Sequence, residues 1–141
     1  MNKKITIGCD HAGLELKNDI KDYLKSLGYD VIDIGTHTKE SCDYPLIAKE
    51  LCQHIKDNSC GILICGTGIG MSIAANKEKG IRAAVVSDTC SAKFPRQHNN
   101  SNVLCLGARI IGQELAKDIV KIWLETDFQA ERHQRRIDMF E

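Results

Sequence analysis

A chain of 141 residues, 43% of them hydrophobic and 27% charged, has enough apolar surface for one compact domain and little room for a second. Nineteen lysine and arginine residues balance nineteen aspartate and glutamate residues. This neutral total argues against a nucleic-acid-binding protein, which normally needs a basic face, but it is compatible with a local basic pocket for a small anion.

The chain begins with residues that lead directly into a predicted strand. No apolar segment with a small-residue cleavage site precedes that strand, and no apolar run reaches membrane-spanning length. The seven cysteines form no C-x-x-C pair, and the five histidines form no H-E-x-x-H motif. We therefore expect a cytoplasmic protein without a zinc site, in which most cysteines are small buried hydrophobic residues.

Five short apolar runs, rich in β-branched residues, alternate with longer amphipathic stretches, as in a parallel sheet flanked by helices. The runs are almost continuously hydrophobic, which is typical of strands that are covered on both faces. The predicted strands are Ile5–Cys9, Asp30–Ile34, Gly61–Cys65, Ile81–Val86 and Asn102–Leu106.

Four helices are predicted between or after these runs. Gly28 is a natural C-cap for the first helix, and Pro45 suits the start of the second. The polar run 96–100 is interpreted as a loop, and residues 127–141 as a C-terminal arm or short charged helix. Apolar residues at helical spacing indicate three of these helices. They are Leu16, Ile20, Tyr23, Leu24 and Leu27 in the first, Ile47, Leu51 and Ile55 in the second, and Leu115, Ile119, Ile122 and Trp123 in the fourth. The third helix is predicted to begin within Gly68–Ser72 and to end at about Lys79.

This alternation predicts one α/β domain over residues 1–141, a three-layer α/β/α sandwich with a five-stranded parallel, Rossmann-like sheet. In such sheets, ligands bind beyond the carboxyl ends of the strands, where the strand order reverses. If the first strand lies between the second and the third, the loops Asp10–Gly13 and Cys65–Gly70 meet at that point. We expect the functional site there.

The segment Cys65–Gly70 has glycines at three alternate positions, 66, 68 and 70. Such glycines let the backbone turn tightly and direct its N–H groups inward, and the helix that follows adds the positive end of its dipole. The loop suits a phosphate or an oxyanion, although a tight strand-to-helix turn without a ligand has the same pattern. It is neither a P-loop nor a G-x-G-x-x-G motif.

Cys65 lies directly before this helix start, a location that lowers the pKa of a thiol and makes the thiolate available as a base or nucleophile. A cysteine phosphatase would have an arginine at the position that Met71 occupies, so phosphatase chemistry is not expected. A thiol-redox protein is disfavoured because Cys65 has no partner at C-x-x-C spacing.

Other polar residues are candidates for the site, and each has a plainer explanation. Asp10 and His11 follow the first strand at its carboxyl end, but Asp10 also suits a helix cap. His98 can act as an acid or base at neutral pH, and Asn99 can bind sugar hydroxyls, but polar loops are often merely solvated.

Arg132 and Arg136 are four residues apart and therefore share one face of a helix. Two guanidinium groups on one face can clamp a phosphate. A charged tail of this kind is more often solvated, so only a link to the rest of the site favours the phosphate clamp.

Taken together, these segments resemble the ribose-5-phosphate isomerase B family, which also includes the bacterial galactose-6-phosphate isomerase subunits. The likeness covers nearly the whole chain in order and without large gaps. The matching segments are Gly8–Gly13, Asp43–Pro45, Gly61–Gly70 with Ser72–Lys77, Arg96–Asn99, Asn102–Leu104 with Leu106–Arg109, and Arg132–Gln134 with Arg136.

The resemblance implies an aldose–ketose isomerase that needs no metal or other cofactor and interconverts ribose 5-phosphate and ribulose 5-phosphate through an enediolate. It also implies a homodimer, or a dimer of dimers, with the active site at the subunit interface and residues 127–141 contributing to that interface. A hexose-6-phosphate isomerase of the allose or galactose type and a non-catalytic sugar-phosphate-binding module are the alternatives.

The resemblance also implies a role for each candidate residue. Cys65 would transfer the proton between C2 and C1 with help from Thr67, and His98, with Asp10, would open the furanose ring. Some family members carry a glutamate base where this chain has Met71, so the chain resembles the cysteine-base branch. The implied oxyanion-binding residues are Gly66, Gly68, Ile69 and Gly70, and the implied contacts to the phosphate and the rest of the sugar are His11, Arg132, Arg136, Asn99 and Arg109.

Overall fold

Apolar strands that are buried on both faces form the centre of the computed structural model, which describes residues 3–56 and 59–140. All neighbouring strands pair in parallel, in the order β2-β1-β3-β5-β4. The strand order therefore reverses between β1 and β3, as expected. The strands are β1 Lys4–Cys9, β2 Asp30–Asp33, β3 Cys60–Cys65, β4 Ala83–Val85 and β5 Val103–Gly107.

Helices cover both faces of this sheet and confirm the three-layer, single-domain prediction. On one face, α2 and α3 bury Leu51 and Met71; on the other, α1, α4 and α5 pack around Ile20, Ala92 and Trp123. Within residues 3–56 and 59–140, none of the helices is suited to span a membrane. The helices are α1 Leu14–Ser26, α2 Tyr44–Gln53, α3 Ile69–Asn76, α4 Thr89–Asn99, α5 Gln113–Glu125 and α6 Arg132–Asp138, with a 3-10 turn at His11–Gly13.

The loop predicted at residues 96–100 is wrong, because residues 96–99 are the last part of helix α4. The carboxylate of Asp88 accepts a backbone N–H of the first turn at 2.7 Å, and Asn100, with φ of 45°, ends the helix. The buried face of α4 consists of only Ala92 and Arg96, so no apolar stripe reveals the helix. Pro95 in its interior also argues against a helix.

Smaller differences concern the ends of elements. The strand predicted at Ile81–Val86 spans only Ala83–Val85, because the N–H of Arg82 bonds to the Asn102 side chain at 2.8 Å. The second and third helices end earlier than predicted, at Gln53 and Asn76. The expected C-terminal helix is present as α6, and Glu141, the last residue of the predicted arm, lies outside the described residues.

A buried ion pair ties the loop after β2 to helix α1. Lys17 is fully buried, and its Nζ donates to Oδ1 of Asp33 at 2.9 Å and to the carbonyl of Thr36 at 2.7 Å. The N–H of Thr36 in turn donates to the carbonyl of Cys9 at 2.7 Å. These bonds fix the end of β1 immediately before Asp10.

Candidate active site

The loops after β1 and β3 lie side by side at the carboxyl edge of the sheet. The N–H of Asp10 donates to the carbonyl of Ile64 at 3.1 Å, one residue before Cys65. A Cβ on Gly13 would lie 2.6 Å from the same carbonyl oxygen, so this approach requires glycine. The structure thus brings together the two loops that the sequence predicts to form the site.

Cys65 ends β3, and its sulfur lies at the start of α3. The N–H of Gly68 donates to Sγ of Cys65, with nitrogen and sulfur 3.1 Å apart. Gly68 has φ of +80°, and a Cβ there would lie 2.9 Å from the carbonyl carbon of Leu106, so this turn requires glycine. Cys65 is 5% exposed. Its sulfur therefore has a main-chain donor, at the end of a strand where ligands bind in this architecture.

Four other cysteines are core residues whose pKa values are raised by burial. Burial raises the pKa of Cys9 and of Cys52 to about 11, and that of Cys60 to about 12. Burial also raises the pKa of Cys105 far above its ordinary value. These four thiols are protonated at neutral pH and serve as small hydrophobic residues, as expected from the sequence.

The loop between Cys65 and α3 presents main-chain donors at a helix start. The hydroxyl of Thr67, an exposed residue, accepts the N–H of Ile69 at 3.3 Å. Within the described residues, the N–H of Gly70 has no hydrogen-bond partner, as is usual in the first turn of a helix. A free donor in the loop that follows Cys65 can bind an anionic oxygen.

The ring of Tyr44, which sequence reasoning did not place at the site, packs against this loop. A Cβ on Gly70 would lie 2.7 Å from Cε1 of Tyr44. Tyr44 is the first residue of α2, so the contact joins the α2 start to the α3 start. The only sequence signal was the Asp43–Pro45 segment of the resemblance, which carries no information about this contact.

Asp10 and His11 both lie on the loop after β1, as predicted. Oδ1 of Asp10 accepts the N–H groups of Ala12 at 3.0 Å and Gly13 at 3.2 Å, so Asp10 does cap the following turn. Its Oδ2 accepts no hydrogen bond from any described residue and can accept one from a substrate hydroxyl. Nδ1 of His11 accepts the N–H of Cys42 at 3.3 Å, which places the proton of the neutral ring on Nε2.

Arg109 follows β5 and lies against the same loop. The backbone N–H of Arg109 donates to the carbonyl of Gly66 at 2.9 Å. A Cβ on Gly66 would lie 3.1 Å from Nη1 of the Arg109 side chain. The missing side chain of Gly66 thus makes room for the guanidinium. The structure places this cation next to Cys65, where it can attract a phosphorylated ligand.

The other predicted site residues lie at the opposite, amino edge of the sheet. Helix α4 runs from the end of β4 back to the start of β5, so His98 and Asn99, in its last turn, lie near the amino end of β5. Cys65 pairs with Gly107, the last residue of β5. The length of β5 alone corresponds to about 13 Å. One chain therefore does not bring His98 and Cys65 together.

A second cluster forms where α4 meets α6. The ring of His98 stacks on those of Phe94 and His133, with centroids 5.3 Å and 4.5 Å apart. Arg132 and Arg136 are exposed on α6. Burial, assisted by the charges of Arg132, His98 and Arg136, lowers the pKa of His133. The structure thus places His98, Arg132 and Arg136 in one cluster away from Cys65, whereas Asp10 and His11, the other residues predicted for ring opening and phosphate binding, lie beside the Cys65 loop.

Cavities of the single chain lie at the amino edge as well. Two of them, of about 600 and 870 Å³, share Gly80, Ile81 and Arg82 in their walls, and Asn99 lines the smaller one. Cys65 lines neither of them. In the part of the chain that the structure describes, no three His, Cys, Asp or Glu side chains are grouped to hold a metal ion.

Comparison with known proteins gives consistent results along the chain. A model of the Ribose/Galactose Isomerase family matches residues 5–140. Ribose-5-phosphate isomerase B of Escherichia coli (strain K12) is 49% identical, over 96% of this chain and 93% of that protein. The solved structure of ribose-5-phosphate isomerase B from Clostridium thermocellum is 50% identical with a TM-score of 0.94, over 96% of this chain and 93% of the other. The solved structure of ribose-5-phosphate isomerase B from Mycoplasma genitalium, with bound ribulose-5-phosphate, is 42% identical with a TM-score of 0.90. This match covers 96% of this chain and 92% of the other.

Proposed function

Since the chain belongs to the Ribose/Galactose Isomerase family, we propose that it interconverts ribose 5-phosphate and ribulose 5-phosphate through an enediolate. The observation that carries this proposal is the position of the Cys65 sulfur, 3.1 Å from the N–H of Gly68 at the carboxyl end of β3. A base and a set of main-chain oxyanion donors are thereby contained in six consecutive residues. These are the two parts that proton abstraction next to a carbonyl needs.

The proton transfer uses Cys65 as the base. Its thiolate takes the C2 proton of the open-chain aldose and returns it to C1, while Thr67 assists proton movement between the two oxygens. The N–H groups of Gly66–Gly70 bind the enediolate oxyanion, and the loss of one such donor typically costs about 3–4 kcal/mol of transition-state stabilisation. A positioned base adds a factor on the order of 10²–10⁴.

Ring opening and phosphate binding use residues of both clusters. His98, with Asp10, opens the furanose before proton transfer, and Asn99 contacts a sugar hydroxyl. His11, Arg132 and Arg136 hold the phosphate, and Arg109 completes the pocket beside the glycine loop. Binding of the phosphate, which takes no part in the reaction, aligns the reacting carbons with Cys65.

A homodimer, or a dimer of dimers, supplies both clusters to one active site. The separation of His98 from Cys65 by the length of β5 supports this assembly, since a second copy of the chain can present its own α4 and α6 to the Cys65 loop. Ile69 and Ile73 on α3 are 54% and 57% exposed beside that loop, as expected for side chains that a partner covers. In this assembly, residues 127–141 contribute to the interface.

The proposed location is the cytoplasm. All seven cysteines are free, and Cys9 and Cys60 are buried without a disulfide partner. Free cysteines in this number are typical of proteins in a reducing compartment.

The direct test is an assay of the purified protein with ribose 5-phosphate in the presence of a chelator. We expect ribulose 5-phosphate to form. Allose 6-phosphate and galactose 6-phosphate, run in parallel, test the six-carbon alternative; a strong preference for either hexose would contradict the pentose assignment. Binding of ribose 5-phosphate without turnover by the unmodified protein would identify a sugar-phosphate-binding module instead.

A further inference from the structure

The ring of His98 stacks on two other rings and makes no side-chain hydrogen bond to any residue that the structure describes. Phe94, four residues earlier on α4, stacks on it at 5.3 Å with an interplanar angle of 28°, and His133 on α6 stacks at 4.5 Å and 20°. The torsion about the bond that joins an imidazole ring to its side chain has a broad energy profile, so the ring of an unsupported histidine rotates easily. The two stacks restrict this rotation.

Hydrogen bonding does not explain why His133 is buried. It is 8% exposed, and its Nε2 is a buried polar atom without a partner in the described residues. An unpaired buried polar group is costly, so a residue that keeps one normally has another role. The close contact of its ring is the stack on His98.

Helix α6 is attached to α4 near His98. The N–H of Gln129, in the segment before α6, donates to the carbonyl of Gln97 at 3.0 Å. Nε of Arg96 donates to the carbonyl of Thr126 at 3.3 Å. Ile137, one turn after His133, is 3% exposed and anchors the helix. The main-chain bond of Gln129 and the side-chain bond of Arg96 hold the segment before α6 against α4, and Ile137 anchors α6 after His133, so the position of the His133 ring relative to His98 is fixed.

We propose that His133 is a positioning residue, whose ring fixes the plane of His98 so that an imidazole nitrogen faces the ring oxygen of the furanose. This inference rests on the proposed function, because it assigns a task within the ring-opening step. Burial and the nearby cations Arg132 and Arg136 lower the pKa of His133.

The ring-opening step needs this orientation because two protons move in it. The bond between C1 and the ring oxygen O4 breaks, O4 gains a proton, and the hydroxyl on C1 loses one, which leaves an aldehyde at C1. His98 and Asp10 handle these two protons. A rotated His98 ring interrupts the transfer at O4, whereas the later transfer from C2 to C1 at Cys65 does not involve His98.

Ribulose 5-phosphate provides a substrate that separates the two steps. Its O5 carries the phosphate, so it has no furanose ring to open, and the open-chain aldose that it forms can leave and close in solution. The experiment measures the rates at which saturating ribose 5-phosphate and saturating ribulose 5-phosphate are consumed by the same preparations of wild type, His133→Ala, His133→Phe and His98→Ala. Saturating substrate is needed because the equilibrium constant fixes the ratio of the two kcat/KM values in every variant. The ratio of the two rates does not depend on how much of a variant is folded.

For His133→Ala, we expect consumption of ribose 5-phosphate to fall about three- to tenfold more than that of ribulose 5-phosphate, the range that corresponds to one lost ring stack. His133→Phe keeps the stack and removes the unpaired nitrogen, so it should retain the wild-type ratio. An unchanged ratio in His133→Ala, or an equal loss of ratio in His133→Phe, would overturn the positioning role.

His98→Ala separates this inference from the proposed function. We expect it to lower the ratio more strongly than His133→Ala, because it removes the ring that handles the proton. If His98→Ala leaves the ratio unchanged, ring opening by His98 is itself wrong. If it lowers the ratio and His133→Ala does not, only the role of His133 is wrong.

Discussion

The N–H of Gly68 donates to the sulfur of Cys65, with the two atoms 3.1 Å apart. The contact depends on Gly68, whose φ of +80° turns the backbone back toward the end of β3. Burial raises the pKa of three core cysteines, Cys9, Cys52 and Cys60, to about 11 or 12. The chain thus places Cys65 beside a main-chain donor and keeps these other cysteines as protonated core residues.

Replacing this sulfur should abolish most of the turnover and leave binding largely intact. We expect Cys65→Ala to lower kcat on the order of 10²–10⁴-fold, since that is the contribution of a positioned base. KM should change little, because the phosphate contacts are unaffected. Cys90→Ala is the matched control, as Cys90 is exposed in the first turn of α4. Steady-state kinetics check this, and near-normal kcat in Cys65→Ala would refute the base assignment.

Two glycines of the loop should differ sharply in their tolerance of alanine. Gly68→Ala places a Cβ 2.9 Å from a backbone carbon at positive φ, so it should lower the free energy of unfolding by about 1–3 kcal/mol. Gly70→Ala meets only the end of the flexible Tyr44 side chain and lies in α3, where alanine is favoured, so it should change that energy little. Urea denaturation measures both. Equal losses would show that the turn at Gly68 is not strained by a side chain.

The buried pair of Lys17 and Asp33 should matter far more for stability than an exposed pair. Asp33→Asn removes the carboxylate from a fully buried ammonium, so we expect a loss of about 3–5 kcal/mol in the free energy of unfolding at neutral pH. Glu15→Gln removes the exposed partner of Lys39 and should have no measurable effect. Urea denaturation at pH 7 provides the comparison, and similar values for the two variants would contradict it.

Acidic pH should remove the stabilisation that the Asp33 carboxylate provides. Burial alone would raise the pKa of Asp33. The hydrogen bonds that its carboxylate accepts from the Lys17 side chain, the backbone N–H of Gly35 and the Lys21 side chain outweigh the effect of burial, so the pKa is lowered overall. A carboxylate with a lowered folded-state pKa stabilises the fold above its unfolded-state pKa, near 4, and this contribution is lost as the pH falls through the folded-state pKa. The unfolding free energy of wild type should therefore fall more steeply below about pH 4 than that of Asp33→Asn. Parallel slopes would exclude Asp33 as the source.

The Cys65 half of the site was predictable because its parts are neighbours in the sequence. Cys65 and the glycines of its loop lie within six residues, and the rule for ligand sites at strand-order reversals brings Asp10 beside them. The contact of Tyr44 with Gly70 was not predictable, because it joins residues that are far apart in the chain and carries no periodic pattern.

Helix α4 escaped prediction for a different reason. Its buried face contains Arg96, which bonds to the carbonyls of Ser101 and Thr126 and lies over the ring of Trp123. From the sequence alone, a charged residue such as Arg96 is expected on the surface, because the contacts that bury it are not visible there. The direction of α4, and hence the position of His98 at the amino edge, follows only once the helix is known.

The measurement that most directly tests the central claim is activity in mixed dimers of Cys65→Ala and Arg136→Ala chains. In a shared site, a mixed dimer has one intact site, with Cys65 from one chain and Arg136 from the other. Each variant alone should have very low kcat/KM with ribose 5-phosphate, and random mixing should restore about one quarter of the wild-type value. No recovery in a verified mixed dimer would contradict the account, because both groups would then act within a single chain.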